Sequence, residues 1–312
     1  MVATEPFALP RSQSGPERQR LLATLLGDYW FWQREQLPSA ALIRLLAEFG
    51  ASPGSARAAI RRLADRGVLV RSRAGRTTSY GLPPRGHEAL VDHARRLLSF
   101  GASAPHWDGH WTIVVFSIPE DGRNVRHAAR VRLRGLGFAP LYDGVWVSPY
   151  DHAEAVAEML RELAITSATV VRARESPGSP AQGSPTSAFD LTGVAQAYRD
   201  FTASYAPLLA RTRTGGIGSA EAFIARTTLM SDWNALRHLD PDLPRELLPA
   251  DWPRPEARSV YVEIYDSLGP LGELRFKQIV SEIAPELAEL TTHHTSTRML
   301  PENRSTNTRH IA

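Results

Sequence analysis

Cysteine is absent from the 312 residues, and lysine occurs once, at Lys277. The first absence excludes disulfides, thiolate nucleophiles and zinc–cysteine sites, and it fits a reducing compartment. The second leaves 35 arginines as the other basic residues. With such a skew the abundance of arginine says little, and its placement says much. No apolar run is long enough to span a bilayer. Residues Met1 to Ser14 lack the basic end and apolar core of a signal peptide, so the expected location is the cytoplasm and no membrane partner is expected. Self-similarity at the periods of repeat proteins is missing too.

What is present is segregated charge. The formal net charge is only +3. Between Gly50 and Gly86, however, Arg57, Arg61, Arg62, Arg66, Arg71, Arg73, Arg76 and Arg85 face a single acid, Asp65. Between Ser231 and Glu263 the balance reverses, with seven acids against Arg237, Arg245, Arg254 and Arg258. A surface that meets phosphates needs this kind of separation, whatever the total.

Composition divides the chain at several points. Residues 17–100 read as helical and then basic, and residues 101–175 alternate strands with helices. The run SPGSPAQGSPTS from Ser176 has almost nothing to bury, so 176–188 reads as a linker or loop. Residues 189–290 are helical again, and the polar segment 291–312 is expected to be a disordered tail. The resulting class is α+β: an N-terminal winged helix-turn-helix, a central ferredoxin-like βαββαβ domain and a mostly helical C-terminal domain.

The winged helix-turn-helix follows from spacing. Leu21, Leu22, Leu25 and Leu26 form one helical face, and Leu42, Leu45, Leu46 and Phe49 a second. Ser39 is placed to cap that second helix and Gly50 to end it. After the turn ASPG, Ser55 is placed to cap a third helix running to Arg66, with Ala56, Ala59, Ile60 and Leu63 inward. Arg57, Ala58, Arg61 and Arg62 then face outward, a small basic surface suited to a major groove, where arginine bonds guanine edges in pairs. Two short strands around the basic segment Arg71–Arg76 make a wing. Arg71, Arg73 and Arg76, with the hydroxyls of Thr77, Thr78 and Ser79, are expected to hold phosphates or the minor groove. The expected partner is double-stranded DNA; a solvated helical hairpin is the plainer alternative.

The middle region offers a fold without evident chemistry. A strand is expected over Trp111–Ile118, helices over Asn124–Leu136 and Ala153–Leu163, a hairpin about Asp143-Gly144, and a last strand over Ser167–Arg172. This is the ferredoxin-like order, shared by small CRISPR-associated metal-dependent ribonucleases. Those need an acidic ligand at the end of the first strand. Here Ile118-Pro119 stands there, and Glu120 and Asp121 lie beyond the proline, where a helix start accounts for them. His110, His127 and His152 share no ligand spacing, and Gly215-Gly216-Ile217-Gly218 lacks the strand that a phosphate loop requires. No catalytic set, metal or cofactor is expected, and the chain is read as a non-enzyme, with a metal-dependent nuclease as the rival reading.

Five segments stand out together: SARAAIRRLADRGVLVRSRAGRTTSYGL from Ser55, Trp107-x-Gly109-x-Trp111 with VVFSIPE, LGFAPLYDGVWVSP from Leu136, FDLTGVAQAYRDF from Phe189 and HLDPDLPRELLPADWP from His238. Together they resemble the PaaX-type transcriptional regulators, repressors of bacterial phenylacetate catabolism. After Asp251-Trp252-Pro253 the chain carries Arg254 where the family usually has glycine. The resemblance implies a homodimeric repressor that leaves its operator when a small-molecule effector, an aryl-acyl-coenzyme A thioester, binds; the expected place for it is between the middle and C-terminal domains. Trp111, Tyr142, Trp146, Trp233 and Trp252 are candidates to stack on such an effector, and Arg126 and Arg130 to meet its phosphates; the plainer account makes the aromatics core packing. A DNA-binding scaffold without an effector is the remaining alternative.

Overall fold

A computed structural model describes residues 15–83, 94–103, 106–176 and 183–298. The chain forms two compact units. One comprises Met1–Phe100, Arg199–Leu236 and Pro255–Ala312; the other comprises Gly101–Tyr198 and Arg237–Arg254.

The first unit begins with α1 (Gly15–Tyr29), α2 (Ser39–Ala47) and α3 (Pro53–Asp65). The strands β1 (Leu37–Pro38), β2 (Val70–Ala74) and β3 (Thr77–Gly81) make a small antiparallel sheet in the order β1-β3-β2. Residues 94–99 form a further helix, α4. The leucine faces read from the sequence are the core: Leu22, Leu25, Leu26, Leu42, Leu45, Leu46, Ile60 and Leu63 are all buried. That core is not closed by the N-terminal helices alone. Phe223, Phe276, Ile279 and Val280, from the C-terminal half of the sequence, are buried in the same cluster. Each contributes on the order of 1.5–3 kcal/mol by leaving water, so the C-terminal helices stabilise the N-terminal fold directly.

Caps and turns differ from expectation in detail. Ser39 is the first residue of α2 and caps nothing; Pro38 precedes it, with no side-chain cap. The cap of α3 is Ser52, not Ser55: the Ser52 hydroxyl accepts from the Ser55 amide at 3.3 Å, and Pro53 opens the helix. Proline suits that first position because its missing N–H would have no partner there. The glycines that follow α2 and α3, Gly50 and Gly67, adopt φ of +73° and +71°, values that cost a side-chain-bearing residue energy. The segment 291–298, expected to belong to a disordered tail, is instead packed, with Thr291, His294 and Ser296 buried. Residues 299–312 lie outside the described residues, as do 177–182 of the expected linker.

The second unit carries β4 (Trp111–Phe116), α5 (Arg123–Gly135), β5 (Ala139–Tyr142), β6 (Val145–Ser148), α6 (Ala153–Glu162) and β7 (Ala168–Ala173). Its antiparallel sheet has the order β5-β6-β4-β7. This is the ferredoxin-like plan, with the first strand in the interior. Val114, Phe116, Trp146, Ala129, Leu133, Val156 and Met159 form the core between sheet and helices. Beyond β4, Pro119 ends the extended run, and Glu120 and Asp121 sit exposed on a short 3-10 turn.

The remaining helices are α7 (Leu191–Thr214), α8 (Ser219–Leu239), α9 (Arg254–Ser281) and α10 (Pro285–Ala288). Within the first unit, α9 is notched: side chains at Gly269 and Gly272 would collide with His293 and Tyr29 respectively. Within the second, Arg254 is buried, 3.2 Å from Asp240 and 2.5 Å from Asp242. The Tyr198 hydroxyl donates to Asp240 at 2.6 Å, so the acidic HLDPDLP segment is neutralised internally.

Candidate nucleic-acid interface

The outward side of α3 is basic because its inward side is small and apolar. Ala56, Ala59, Ile60 and Leu63 are buried, and the helical period leaves Arg57, Arg61 and Arg62 exposed, with Ala58 half-buried among them. Ser55 is also half-buried, in the first turn, and its hydroxyl donates to the Ser52 carbonyl at 2.9 Å. Among the described residues, no carboxylate lies within ion-pair distance of Arg57, Arg61 or Arg62.

The wing is tighter than its sequence suggests. Arg71 and Arg73 lie within β2, and the turn is only Gly75-Arg76, with Gly75 at φ +59°. The register pairs Arg71 with Tyr80, Ser72 with Ser79, Arg73 with Thr78 and Ala74 with Thr77. Side chains alternate across a strand, so Arg71, Arg73 and Thr78 share one face, while Ser72, Thr77 and Ser79 share the other. One flat phosphate surface cannot meet all of them. Both faces are reached only by a groove that admits the hairpin edgewise. Arg73 Nε donates to the Gly75 carbonyl at 3.2 Å, which stiffens the tip. Arg71, Arg73, Arg76 and Thr77 are exposed; Thr78 and Ser79 are half-buried.

Residues that spacing did not mark hold this wing. Gln36 accepts a hydrogen bond from the Ser72 hydroxyl at 2.5 Å. It also lies against Gly81, where a side chain would press on its Cγ at 2.9 Å. The adjoining β1 pairs Leu37 with Tyr80 and Pro38 with Ser79, giving the wing a third strand. The signal was faint, since a two-residue strand has no periodicity of its own.

The helices behind α2 are tied to it by ion pairs. Arg275 on α9 reaches both carboxylate oxygens of Glu48 at 2.8 and 3.0 Å, and Arg44 meets Glu282 at 3.0 Å.

The residues considered for an effector fall in both units. Trp233 is fully buried in the first unit, stacked on Tyr261 with ring centroids 4.8 Å apart. Trp111 and Trp252 are buried in the second, Trp111 against Trp107 and Phe189, Trp252 against Tyr198. Arg126 donates to the carbonyls of Ile118 and Pro119 at 2.6 and 3.1 Å, fastening the corner between β4 and α5. Arg130, Tyr142 and Trp146 do converge, around a hollow at α5 and the β5–β6 hairpin. Among the described residues, no cluster of three histidine, aspartate or glutamate side chains could hold a metal ion, and no helix is long and apolar enough to cross a membrane.

Comparison with known proteins gives a consistent outcome. Three family models match in succession: "PaaX-like protein" over residues 18–86, "PaaX protein central Cas2-like domain" over 104–184, and "PaaX-like protein C-terminal domain" over 189–278. The chain is 26% identical over 258 residues to the transcriptional repressor PaaX of Escherichia coli (strain K12), covering 80% of each. A solved structure, the uncharacterized protein Rv0674 from Mycobacterium tuberculosis, matches 84% of this chain and 99% of its own, with a TM-score of 0.51 and 25% identity.

Proposed function

Because the chain belongs to the PaaX-like family, we propose that it is a transcriptional repressor: a cytoplasmic homodimer that binds double-stranded operator DNA and leaves it when a small-molecule effector binds. The observation that carries the DNA-binding part is the row Arg57, Arg61 and Arg62 on α3, exposed and without carboxylate partners among the described residues. The similarity to the Escherichia coli repressor supports repression and a role without catalysis. In this reading Arg57, Ala58 and Arg61 face base edges, with Ser55 and Arg62 at the backbone. Arg71, Arg73, Arg76, Thr77, Thr78 and Ser79 act from the wing. Two copies of α3 enter successive major grooves of a palindromic site.

The effector is read as an aryl-acyl-coenzyme A thioester, on family resemblance. Whatever its identity, it must bind the DNA-free form more tightly than the DNA-bound form, since equal affinity for both would shift nothing.

Gel retardation with the protein's own upstream DNA tests the first part. Binding should fall steeply with salt, and Arg57→Ala and Arg61→Ala should each weaken it, with a base-contacting arginine worth about 1–3 kcal/mol of discrimination. No retardation at low salt would overturn the proposal. Thermal-shift measurements with acyl-coenzyme A thioesters test the second part, because a ligand of the native state raises its melting temperature. Stabilisation by simple aryl acids and not by thioesters would replace the effector class.

A further inference from the structure

We propose that Arg130 and Arg134, with Trp146 and Tyr142, form an oxyanion subsite on the second unit that takes a phosphoryl or carboxylate group of a small ligand. The inference rests on the reading of the protein as effector-responsive, and it is carried by four observations within that unit.

First, the hollow is bounded by Arg130 and Arg134 on one side and by Pro140 to Gly144 and Trp146 on the other, with a volume of ≈ 260 Å³. That is room for an anionic group and a ring, not for a macromolecule. Second, the two arginines are four residues apart on α5, one helical turn, so both guanidiniums rise on the same face. Third, neither is consumed. Arg134 lies over the Trp146 ring at 5.6 Å, a cation–π contact that orients the guanidinium without using its N–H donors. Among the described residues Arg130 meets only Asp143, at 3.5 Å, and that carboxylate is 99% exposed, which makes the pair easily exchanged for a better acceptor. Four other arginines of the unit are held more firmly: Arg126 by two carbonyls, Arg132 by Glu162, Arg172 by Asp108, and Arg254 by Asp240 and Asp242. Fourth, the hairpin opposite is shaped for close approach. A register shift between Pro140 and Tyr142 breaks the β5–β6 ladder, and Tyr142 stands at the rim, 58% exposed as a residue.

The chemistry that fits is a planar or small anion. Two guanidiniums offer paired N–H donors to two or three oxygens of one group, the arrangement in which arginine outperforms lysine. Tyr142 offers a ring face to whatever adjoins the anion. Carboxylates and phosphoryl groups both satisfy this, and the choice of probes separates them.

The test is calorimetric titration of the full chain with inorganic pyrophosphate, with adenosine 3′,5′-bisphosphate and with phenylacetate. The expected result is saturable binding of at least one, weakened about tenfold or more in Arg130→Gln/Arg134→Gln, as loss of charge-assisted hydrogen bonds requires. Binding by the two phosphates alone assigns a phosphoryl group, and binding by phenylacetate alone a carboxylate. The single Arg130→Gln variant carries the test if the double variant does not fold, since Arg130 is half-exposed and makes no close internal bond. Failure of all three probes to bind, or equal binding by wild type and variant, overturns the proposal. Operator binding by the ligand-free variant should match wild type; a loss there, without any anion titration, would assign the arginines to DNA phosphates instead. Wild-type protein that titrates with anions yet retards no DNA would leave this subsite standing and remove the repressor reading.

Discussion

Arg226 on α8 and Asp28 near the end of α1 stand 3.4 Å apart with both side chains withdrawn from water. Burial pushes the Asp28 carboxyl above its ordinary range, while Arg226 and a 2.7 Å hydrogen bond from the Tyr265 hydroxyl pull it back. Burial opposes the charge on Arg226 as well. It is outweighed by Tyr265, Tyr29 and Asp28, so the guanidinium stays charged. Arg226 also donates to the carbonyls of Tyr265 and His294 at 3.0 and 2.7 Å and lies over the Tyr265 ring at 3.7 Å. Removing one partner of such a pair strands the other in the core. Arg226→Met should therefore cost about 3–5 kcal/mol in chemical denaturation. Asp28→Asn/Arg226→Met should recover much of that loss, because no charge is then left alone. Equal losses in the single and double variants would mean the pair contributes nothing beyond packing.

The same relationship predicts how the chain fails when cut. A fragment ending at Phe100 keeps α1, α2, α3 and the wing but loses Phe223, Phe276, Ile279 and Val280 from the core, and Arg226 from Asp28. Those losses together rival the whole stability of a small domain, about 5–15 kcal/mol. The fragment should show no cooperative thermal transition and no retardation of DNA that the full chain retards. A cooperative melt would show that the winged helix is self-sufficient.

That dependence was not legible in the sequence, and the reason is physical. The leucine stripe of α1 and the apolar run of β4 are local signals, visible within a dozen residues. The contacts that close the first unit join residues far apart in the sequence, as in Arg275 with Glu48, 227 positions away, and periodicity does not announce them. The long C-terminal helices bury more than one face, so no single stripe points to a partner. Ser52 against Ser55 was a near miss, since Pro53 marks the first turn and so favours Ser52. Most of the aromatic effector candidates are buried. Trp111, Trp233 and Trp252 are large apolar side chains before they are stacking platforms, and the fold uses them for packing. Arg130 and Trp146 lie on α5 and β6, elements that the ferredoxin-like order makes neighbours.

Acid should weaken the first unit through His294. Its Nε2 lies 2.7 Å from the Gly27 carbonyl, and its Nδ1 is buried with no partner among the described residues. Burial holds its pKa down at about 4 against an ordinary 6.5. The folded state thus binds fewer protons than the unfolded state between these values. Stability is complete above about pH 6.5 and declines as pH falls toward 4, by up to about 1.4 kcal/mol per unit. Asp28, whose pKa is raised, acts in the opposite sense where its range overlaps, so the comparison must be made against a variant. His294→Asn should flatten the decline in denaturation midpoints between pH 6.5 and 4. Parallel curves for wild type and variant would show that His294 does not titrate with folding.

The Gln36–Ser72 hydrogen bond predicts a separation of stability from recognition. Both side chains lie near the surface, so the freed Ser72 hydroxyl in Gln36→Ala can turn to water, and folding should lose less than about 1 kcal/mol. Arg71 and Arg73 flank Ser72 on the opposite face of β2, so the aim of both depends on the twist that Gln36 fixes. If the wing contacts DNA, operator affinity should fall about three- to tenfold, the cost of one net hydrogen bond's worth of order. Hydroxyl-radical footprinting should show protection lost where the wing lies and kept where α3 lies. A merely structural role would dim the whole footprint together with the melting temperature. An unchanged footprint and affinity would mean the wing is positioned by β1 pairing alone.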